Sequence, residues 1–362
     1  MLLKAFLLTR VKSRLDPFAL NIQIINPIEY PSWDELLLTS DQSTFFQTSA
    51  WASVLSESYR YKPLYFTITE NGRLSSLIPV MEISSFLTGK RGISLPFTDY
   101  CRPIADSDDQ LNTLTEKLIE YGKQAGLMHL ELRGGMNYLE NSPASATFIS
   151  HSLDLAGGEQ KIFKSFRDST RRNIEKAVRE NIQVTFDNSW KSIETFDRLN
   201  SITRKHHGVP PQPLRFFKKV YEHIVSRDKG IVAIASYQGI PVAGAVFFHF
   251  GKKVLFKYGA SIRKYHHLRP NNLLMWEVIK RYLNDGFQYF NFGKTETQNK
   301  GLIQYKRGWG TRERLIYYYT YDLASNEFIT PKKTVKSSYQ IFKLLPEPLL
   351  KLAGNLLYRH VG

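Results

Sequence analysis

The run Phe290-Asn-Phe-Gly-Lys-Thr-Glu-Thr-Gln-Asn-Lys-Gly-Leu-Ile-Gln-Tyr-Lys-Arg-Gly-Trp-Gly310 changes character at Gly293. Up to that glycine it continues the aromatic stretch Gln288-Tyr-Phe-Asn-Phe292, and beyond it the chain is polar. A short apolar run that ends at glycine reads as a buried strand. In open α/β sheets the carboxyl ends of the strands are where ligands bind. The polar residues that leave Phe292-Gly293 are therefore the first candidates for a site. Glu296 falls just past the strand and is a candidate proton acceptor. Lys306 and Arg307 precede Gly308-Trp309-Gly310, read here as a basic loop whose glycines let backbone approach an anion.

Upstream of this run the same order of elements occurs twice. In the first half, Ser49 to Glu57 reads as a helix, and Pro63–Thr69 and Leu77–Ile83 as strands about an Asn71-Gly72 turn. An amphipathic helix, Leu111 to Ala125, and the strand Met128–Arg133 follow. In the second half the strands Ile231–Tyr237 and, after a Gln238-Gly239 turn, Val242–His249 and Val254–Ala260 precede a helix, Asn272 to Asn284, closed by Asp285-Gly286. The strand into Phe292 completes the copy. Strand–turn–strand, then helix, then strand, written twice, implies a duplicated α/β (α+β) chain, each half a mixed twisted sheet flanked by helices. The length of 362 residues also favours two domains. The expected divisions are a basic segment over 1–20, a first domain over 21–150, a second over 151–328, and a basic amphipathic helical tail over 329–362.

The net charge of +16 is unevenly spread. Residues 1–15 and 161–180 each carry +4, 300–314 another +4, and 331–362 +5, which leaves the remainder near neutral. Four basic patches on a neutral body point to anionic partners. The single cysteine, Cys101, excludes an intramolecular disulfide, and no Cys/His pattern has zinc spacing. No uncharged apolar segment approaches the roughly 18 residues of a membrane span. The N-terminal run Met1–Arg10 is broken by Lys4 and lacks the order of a signal peptide. The expected location is cytoplasmic. The tail places Phe342, Leu345, Leu349, Leu352, Leu356 and Leu357 near helical spacing among lysines, so 1–15 and 331–362 are read either as segments that lie on the inner face of an anionic membrane or as segments packed on the domains.

Several motifs together resemble the FemAB-like acyl- and aminoacyltransferases of the GNAT superfamily, of the peptidoglycan interpeptide-bridge type. Phe290–Gly310 is similar to that family's closing motif, with its phenylalanine-rich strand, Gly-(Lys/Arg)-(Ser/Thr)-Glu-like turn and Lys-Arg-Gly-aromatic-Gly ending. Ser169-Thr-Arg-Arg-Asn-Ile-Glu-Lys-Ala177 resembles its R-x-x-I-x-K-A helix, and Lys205-His-His-Gly-Val-Pro-Pro211 and Leu268-Arg-Pro-Asn-Asn-Leu-Leu274 match further segments. The resemblance covers about 155–325; residues 40–135 agree only in element order. It implies two tandem GNAT-like domains, the first on the acceptor side and the second on the donor side.

The implied chemistry is attack of an amine on an activated acyl carbon, with no bound cofactor. The donor is a co-substrate: an aminoacyl-tRNA, an acyl-CoA or an acyl-carrier protein. The acceptor is an amine of a cell-envelope precursor, either a peptidoglycan peptide or an amino sugar of an exopolysaccharide. A small-molecule N-acyltransferase and an inactive binding protein of the same fold stay open. A tetrahedral oxyanion needs a cation or aligned N–H donors and a route for the amine's proton. The resemblance gives Lys306 the first role; Glu296 is the candidate for the second. Arg307, Gly308, Trp309, Gly310 and Asn272 are donor-binding candidates. Arg171, Arg172 and Lys176 join them, since their helix face suits the phosphates of a tRNA acceptor end or a nucleotide carrier. Acceptor candidates are Asp99, Tyr100 and Arg102 in the Pro96–Pro103 segment, with His206 and His207. Adjacent histidines diverge, so such a pair offers one ring at most to a common site, which favours substrate contact or structure over metal. Arg269–Leu274 lacks the glycines of the acetyl-CoA pyrophosphate loop, which leaves the donor open.

Overall fold

The Asn71-Gly72 and Gln238-Gly239 pairs both have positive φ at each residue, the backbone of two-residue hairpin turns, and each joins long strands where the sequence places them. A computed structural model describes residues 21–134, 142–330 and 339–361. The expected segment 1–20 and the lysines at 332, 333 and 336 lie outside the described residues. In the first half the elements are β1 (Ile22–Ile25), α1 (Trp33–Leu38), α2 (Ser49–Tyr59), β2 (Lys62–Glu70), β3 (Arg73–Ser85), β4 (Gly89–Ile93), β5 (Ile104–Ala105), α3 (Asp108–Gln124) and β6 (His129–Arg133). Then come β7 (Ala146–Asp154), α4 (Gly158–Ser165), α5 (Asp168–Arg179), β8 (Gln183–Phe186), α6 (Trp190–His207) and α7 (Leu214–His223). The second run of strands is β9 (Gly230–Tyr237), β10 (Ile240–Phe250) and β11 (Lys253–Ser261), followed by α8 (Pro270–Asn284), β12 (Tyr289–Glu296), α9 (Lys300–Arg307), β13 (Arg312–Asp322) and β14 (Glu327–Ile329). The tail forms α10 (Tyr339–Leu344) and α11 (Glu347–Val361).

The strands join in one mixed sheet, in the order β1-β2-β3-β4-β6-β13-β7-β12-β11-β10-β9-β8, with β5 on β3 and β14 on β13. Each half contributes an antiparallel run that ends in one parallel pair, β4 with β6 and β11 with β12. The duplicated order read from the sequence is therefore visible as two copies of the same strand plan. The middle of the sheet is less regular: β13, late in the chain, pairs with β6 of the first half, and β7 lies between β13 and β12. The boundary expected at residue 150 falls within β7.

Burial explains how the halves hold together. Leu111, Leu114 and Leu118 of α3 cover β2, β3 and β6, and Tyr319 and Leu323, from β13 and just past it, join that core. Leu274, Val278, Ile279 and Tyr282 of α8 cover one face of the second half with Ile174 and Ala177 of α5. A third core crosses between halves: Trp51 of α2 meets Phe216 of α7 and Phe248 of β10, and Tyr59 stacks on Phe216. The units are joined by aromatic packing as well as by a shared sheet.

One local expectation is overturned. Lys306 and Arg307, read as part of a basic loop, instead end a helix, α9, over 300–307. The Asn299 side chain caps it by accepting from the Leu302 N–H at 3.1 Å, and Ile303 and Lys306, three residues apart, share the buried face. With one inward residue a lysine, the helical period was hidden among polar letters.

Candidate active site

The site starts from a failure of pairing. β11 and β12 are hydrogen-bonded only through Lys253–Leu255 and Tyr289–Asn291, and then part. At that point β12 shifts register against β7, and Gly293 takes φ +71°, its N–H held by Asn291 Oδ1 at 2.7 Å. A Cβ on Gly293 would lie 3.3 Å from Phe256 O, tighter than an ordinary contact, so glycine both turns the strand and leaves room for the β11 backbone. The opening is a cavity of about 470 Å³, walled by β11, β12, the first turn of α8 (Asn271, Leu274), α6 (Thr203, His207) and α9 (Tyr305, Lys306).

Its charges are few and deeply set. Lys306 is 3% exposed, and its Nζ donates to Gly293 O at 2.9 Å and Lys294 O at 3.2 Å. Burial holds its pKa down to about 8, with the Asp99 charge opposing the shift. Lys257 Nζ donates to Phe97 O at 2.6 Å and pairs with Asp99 Oδ2 at 3.0 Å, and it lies against the Phe46 and Tyr258 rings. Lys294 Nζ donates to Tyr318 Oη at 2.7 Å between the Phe148 and Tyr318 rings, and burial lowers its pKa also to about 8, with Arg133 adding to the effect. Three lysines and one carboxylate line the cavity, so it favours a ligand that carries negative charge. A second cavity of about 140 Å³ lies against the first unit, lined by Phe45, Phe46, Tyr100, Ser150 and Asn291, and Asp99 lines both.

The candidates from the sequence separate in space. Lys306, Asp99 and His207 meet at the larger cavity, and Tyr100 lines the smaller one. His206 turns away and meets Arg263 at 3.1 Å, so the pair does offer one ring. Asn272 is buried in α8, while its neighbour Asn271 reaches the cavity, its Nδ2 donating to Ser261 Oγ at 3.2 Å. Glu296 is exposed at the end of β12 and is not among the lining residues. Arg307 is exposed and forks onto Glu313 at 2.6 and 2.8 Å. Arg171 pairs with Asp168 and donates to Lys164 O, Arg172 is exposed and Lys176 half-buried, all on α5 away from the cavity lining. The Arg102 carbonyl accepts from Gln47 Nε2 at 2.8 Å, and its side chain lines neither cavity.

The glycine turn has a packing reason. A Cβ at Gly308 would lie 2.5 Å from Thr170 Oγ1 and one at Gly310 2.8 Å from Ser165 Oγ, while Trp309 is fully buried against Phe166. These residues fix α9 against α4 and α5, and thereby aim Lys306. The sequence reading missed Lys257 and Lys294. The signal was present in Phe256-Lys257-Tyr258, a lysine between two aromatics inside an apolar strand. Among the described residues Glu57, Glu222 and His223 cluster at metal-binding spacing, but Lys219 bridges the two carboxylates at 2.7 Å each.

Residues 164–307 match the family described as an acetyltransferase (GNAT) domain. The chain is 26% identical to the lipid II:glycine glycyltransferase of Staphylococcus epidermidis over 154 residues, which is 41% of this chain and 33% of that protein. It is 30% identical to the enzyme of the same name from Staphylococcus haemolyticus over 100 residues, 26% of this chain and 24% of that protein. The chain thus spans about a third or less of the length of these relatives. Among solved structures, the crystal structure of FemX superposes with a TM-score of 0.65 at 13% identity, over 78% of this chain and 94% of that one. A tandem GNAT protein from the clavulanic acid biosynthesis pathway gives 0.52 at 10% identity, over 84% and 98%. At these identities the structural likeness is one of fold.

Proposed function

We propose, starting from a chain that is a FemAB-like member of the GNAT acyltransferases, that it transfers an aminoacyl group from an activated ester to an amine of a cell-envelope precursor. The observation that carries the reading is the buried Lys306 ammonium at the parting of β11 and β12, with Asp99 beside it. Two of its three N–H bonds are used by the carbonyls of residues 293 and 294, which hold the ammonium in place. The third is free to meet the carbonyl oxygen of the donor and to stabilise the negative charge that develops there as the amine attacks. Because the lysine is already desolvated and held, little reorganisation is needed at the moment of reaction.

The amine loses a proton as the new bond forms, and Asp99 is the carboxylate that lines both cavities. An acceptor entering through the smaller cavity, past Tyr100, would bring its amine to Asp99 from the first unit. The donor would lie in the larger cavity, its phosphates drawn by Lys257, Lys294 and Lys306. Collapse of the tetrahedral intermediate then breaks the bond to the carrier oxygen, leaving the amide on the acceptor and the proton to pass to the leaving group.

The donor reading favours an aminoacyl-tRNA over a coenzyme A thioester. The first turn of α8 lies at the cavity, but Pro270 at its start has no N–H, and no glycine in 269–274 brings backbone donors close to a pyrophosphate. The envelope-precursor acceptor draws on the similarity to glycyltransferases named for lipid II. Incubation with labelled aminoacyl-tRNA or acetyl-CoA, together with peptidoglycan-precursor and amino-sugar acceptors, followed by mass spectrometry of the acceptor, tests both assignments. Transfer from acetyl-CoA alone would overturn the donor assignment. No transfer from any donor, with the fold intact, would leave the chain a binding protein.

A further inference from the structure

Helix α11 docks on both units by one face. Leu350 is fully buried, a Cβ added at Gly354 would lie 2.2 Å from Pro211 O, and the Tyr358 hydroxyl donates to Pro210 O at 3.1 Å. At its far end the buried His360 meets Ser85 Oγ at 2.8 Å through Nδ1, and its carbonyl accepts from Arg91 Nη2 at 2.6 Å. The tail is therefore tied to the β3–β4 hairpin.

The opposite face of α11 is apolar and open. Leu349, Leu352 and Leu356, at spacings of three and four along the helix, are 50%, 53% and 60% exposed, and Leu344 just before them is 86% exposed. Phe86 and Leu87, at the tip of the β3–β4 hairpin, are 83% and 58% exposed, and the Phe86 ring lies 4.7 Å from that of His360. Two elements about 270 residues apart in sequence thus bring their apolar side chains to one end of the molecule. Exposed Lys90 is on the same hairpin, Lys343 precedes α11 and Arg359 is on its outer side, all exposed. Water-exposed apolar groups in one patch mark an interaction surface. A rim of basic residues around such a patch, on a chain of net charge +16, is the complement of an anionic bilayer.

We infer that the outer face of α11 and the Phe86-Leu87 hairpin tip form one docking surface for an anionic lipid bilayer. The leucines and Phe86 enter the boundary between headgroups and acyl chains, and the basic rim meets the lipid phosphates. Among the described residues no helix is long and apolar enough to cross a membrane, so the contact is a surface one. The inference concerns a face apart from the cavity, and its test reads binding without requiring transfer.

The experiment is co-sedimentation of the full chain with vesicles of phosphatidylglycerol and phosphatidylcholine, or of phosphatidylcholine alone. The wild type is expected to partition onto the anionic vesicles about tenfold or more better than onto neutral ones. Phe86→Ser with Leu87→Ser is expected to lower that partition about tenfold, and Leu87→Ser alone, which leaves the Phe86 ring on His360, should lower it in part with an unchanged melting temperature. Leu352→Glu with Leu356→Glu should act likewise. Equal binding by the hairpin variant, or no preference for anionic lipid, overturns the inference. So does a wild-type dimer that the hairpin variant splits while vesicles bind nothing, for then the face holds a second copy.

Discussion

Between β4 and β6 the strands part after Ile93 and Glu131, and the chain itself fills the gap. The Ser94 N–H donates to Glu131 O at 2.8 Å, Ser94 Oγ accepts from the Arg133 N–H at 2.6 Å, and Leu95 and Cys101 are wholly buried there. Between β11 and β12 the same parting stays open and is lined by lysines. The segment that fills the first gap also furnishes the second with Asp99, which pairs with Lys257. It does so through a costly backbone: Leu95 and Phe97 both have φ near +60°, a conformation that costs non-glycine residues of order 1–3 kcal/mol each. The duplicated plan has thus diverged into a closed copy that positions a carboxylate and an open copy whose cavity is lined by lysines.

The sharpest way to break this contrast is Lys306→Ala. With its ammonium gone, transfer is expected to fall by about 10²–10³-fold while the circular dichroism spectrum is kept. Retained activity would mean that the open gap is not where the reaction occurs. Asp99→Asn tests the contribution of the closed copy, with an expected loss of about 10²-fold in kcat, in the range of a lost general base. If only the KM rises, Asp99 serves to bind the acceptor.

A third test uses pH. Lys306 is held down to about 8, so its charge, and the stabilisation of the oxyanion, is lost as pH rises through that value. The transfer rate should fall by about tenfold per unit above it. Unfolding does not produce this limb from Lys306. Its folded pKa lies below its ordinary value of 10.5, so the buried charge penalises the fold below about pH 8, and the penalty is relieved as pH rises toward 10.5. A melting temperature that falls in step with the rate would assign the limb to other groups.

Much of this architecture was legible. The strand and helix order of both halves, the Asn71-Gly72 and Gln238-Gly239 turns and the place of Lys306 beyond Phe292 follow from periodicity and turn chemistry. What was hidden depends on long-range pairing. Nothing local in Arg312–Asp322 says that β13 lies beside β6, since its partner strand belongs to the other half of the chain. Lys257 and Lys294 were passed over because a lysine in a strand usually reaches water, and only the aromatic neighbours of Lys257 hinted otherwise. The charges of α5 were the converse case: Arg171 and Arg172 made a clear basic stripe, and the structure leaves them on the outside of the helix.

Smaller effects refine the same picture. Gly293→Ala would place a Cβ at positive φ against Phe256 O and the Asp99 carboxyl group, for an expected loss of about 1 kcal/mol in urea unfolding. Transfer should fall with it, since the strain falls on the turn whose carbonyl holds Lys306; a stability loss with normal transfer would mean that the ammonium needs no such fine placement.

The smallest expected effect is the most discriminating. Glu296 and Asp99 are both carboxylates near the carboxyl end of β12, but Glu296 is exposed on the strand that leaves the open gap, whereas Asp99 arrives from the closed copy and lines both cavities. Glu296→Gln keeps shape and removes charge. It should change kcat by no more than about twofold, as an exposed side chain without a buried partner would. Proton removal then belongs to the group supplied across the two units, and each unit alone is incomplete. If instead Glu296→Gln matches the loss of Asp99→Asn, the base lies on the same strand as the lysine-bearing site, and the closed copy serves to shape the cavity rather than to take part in the reaction.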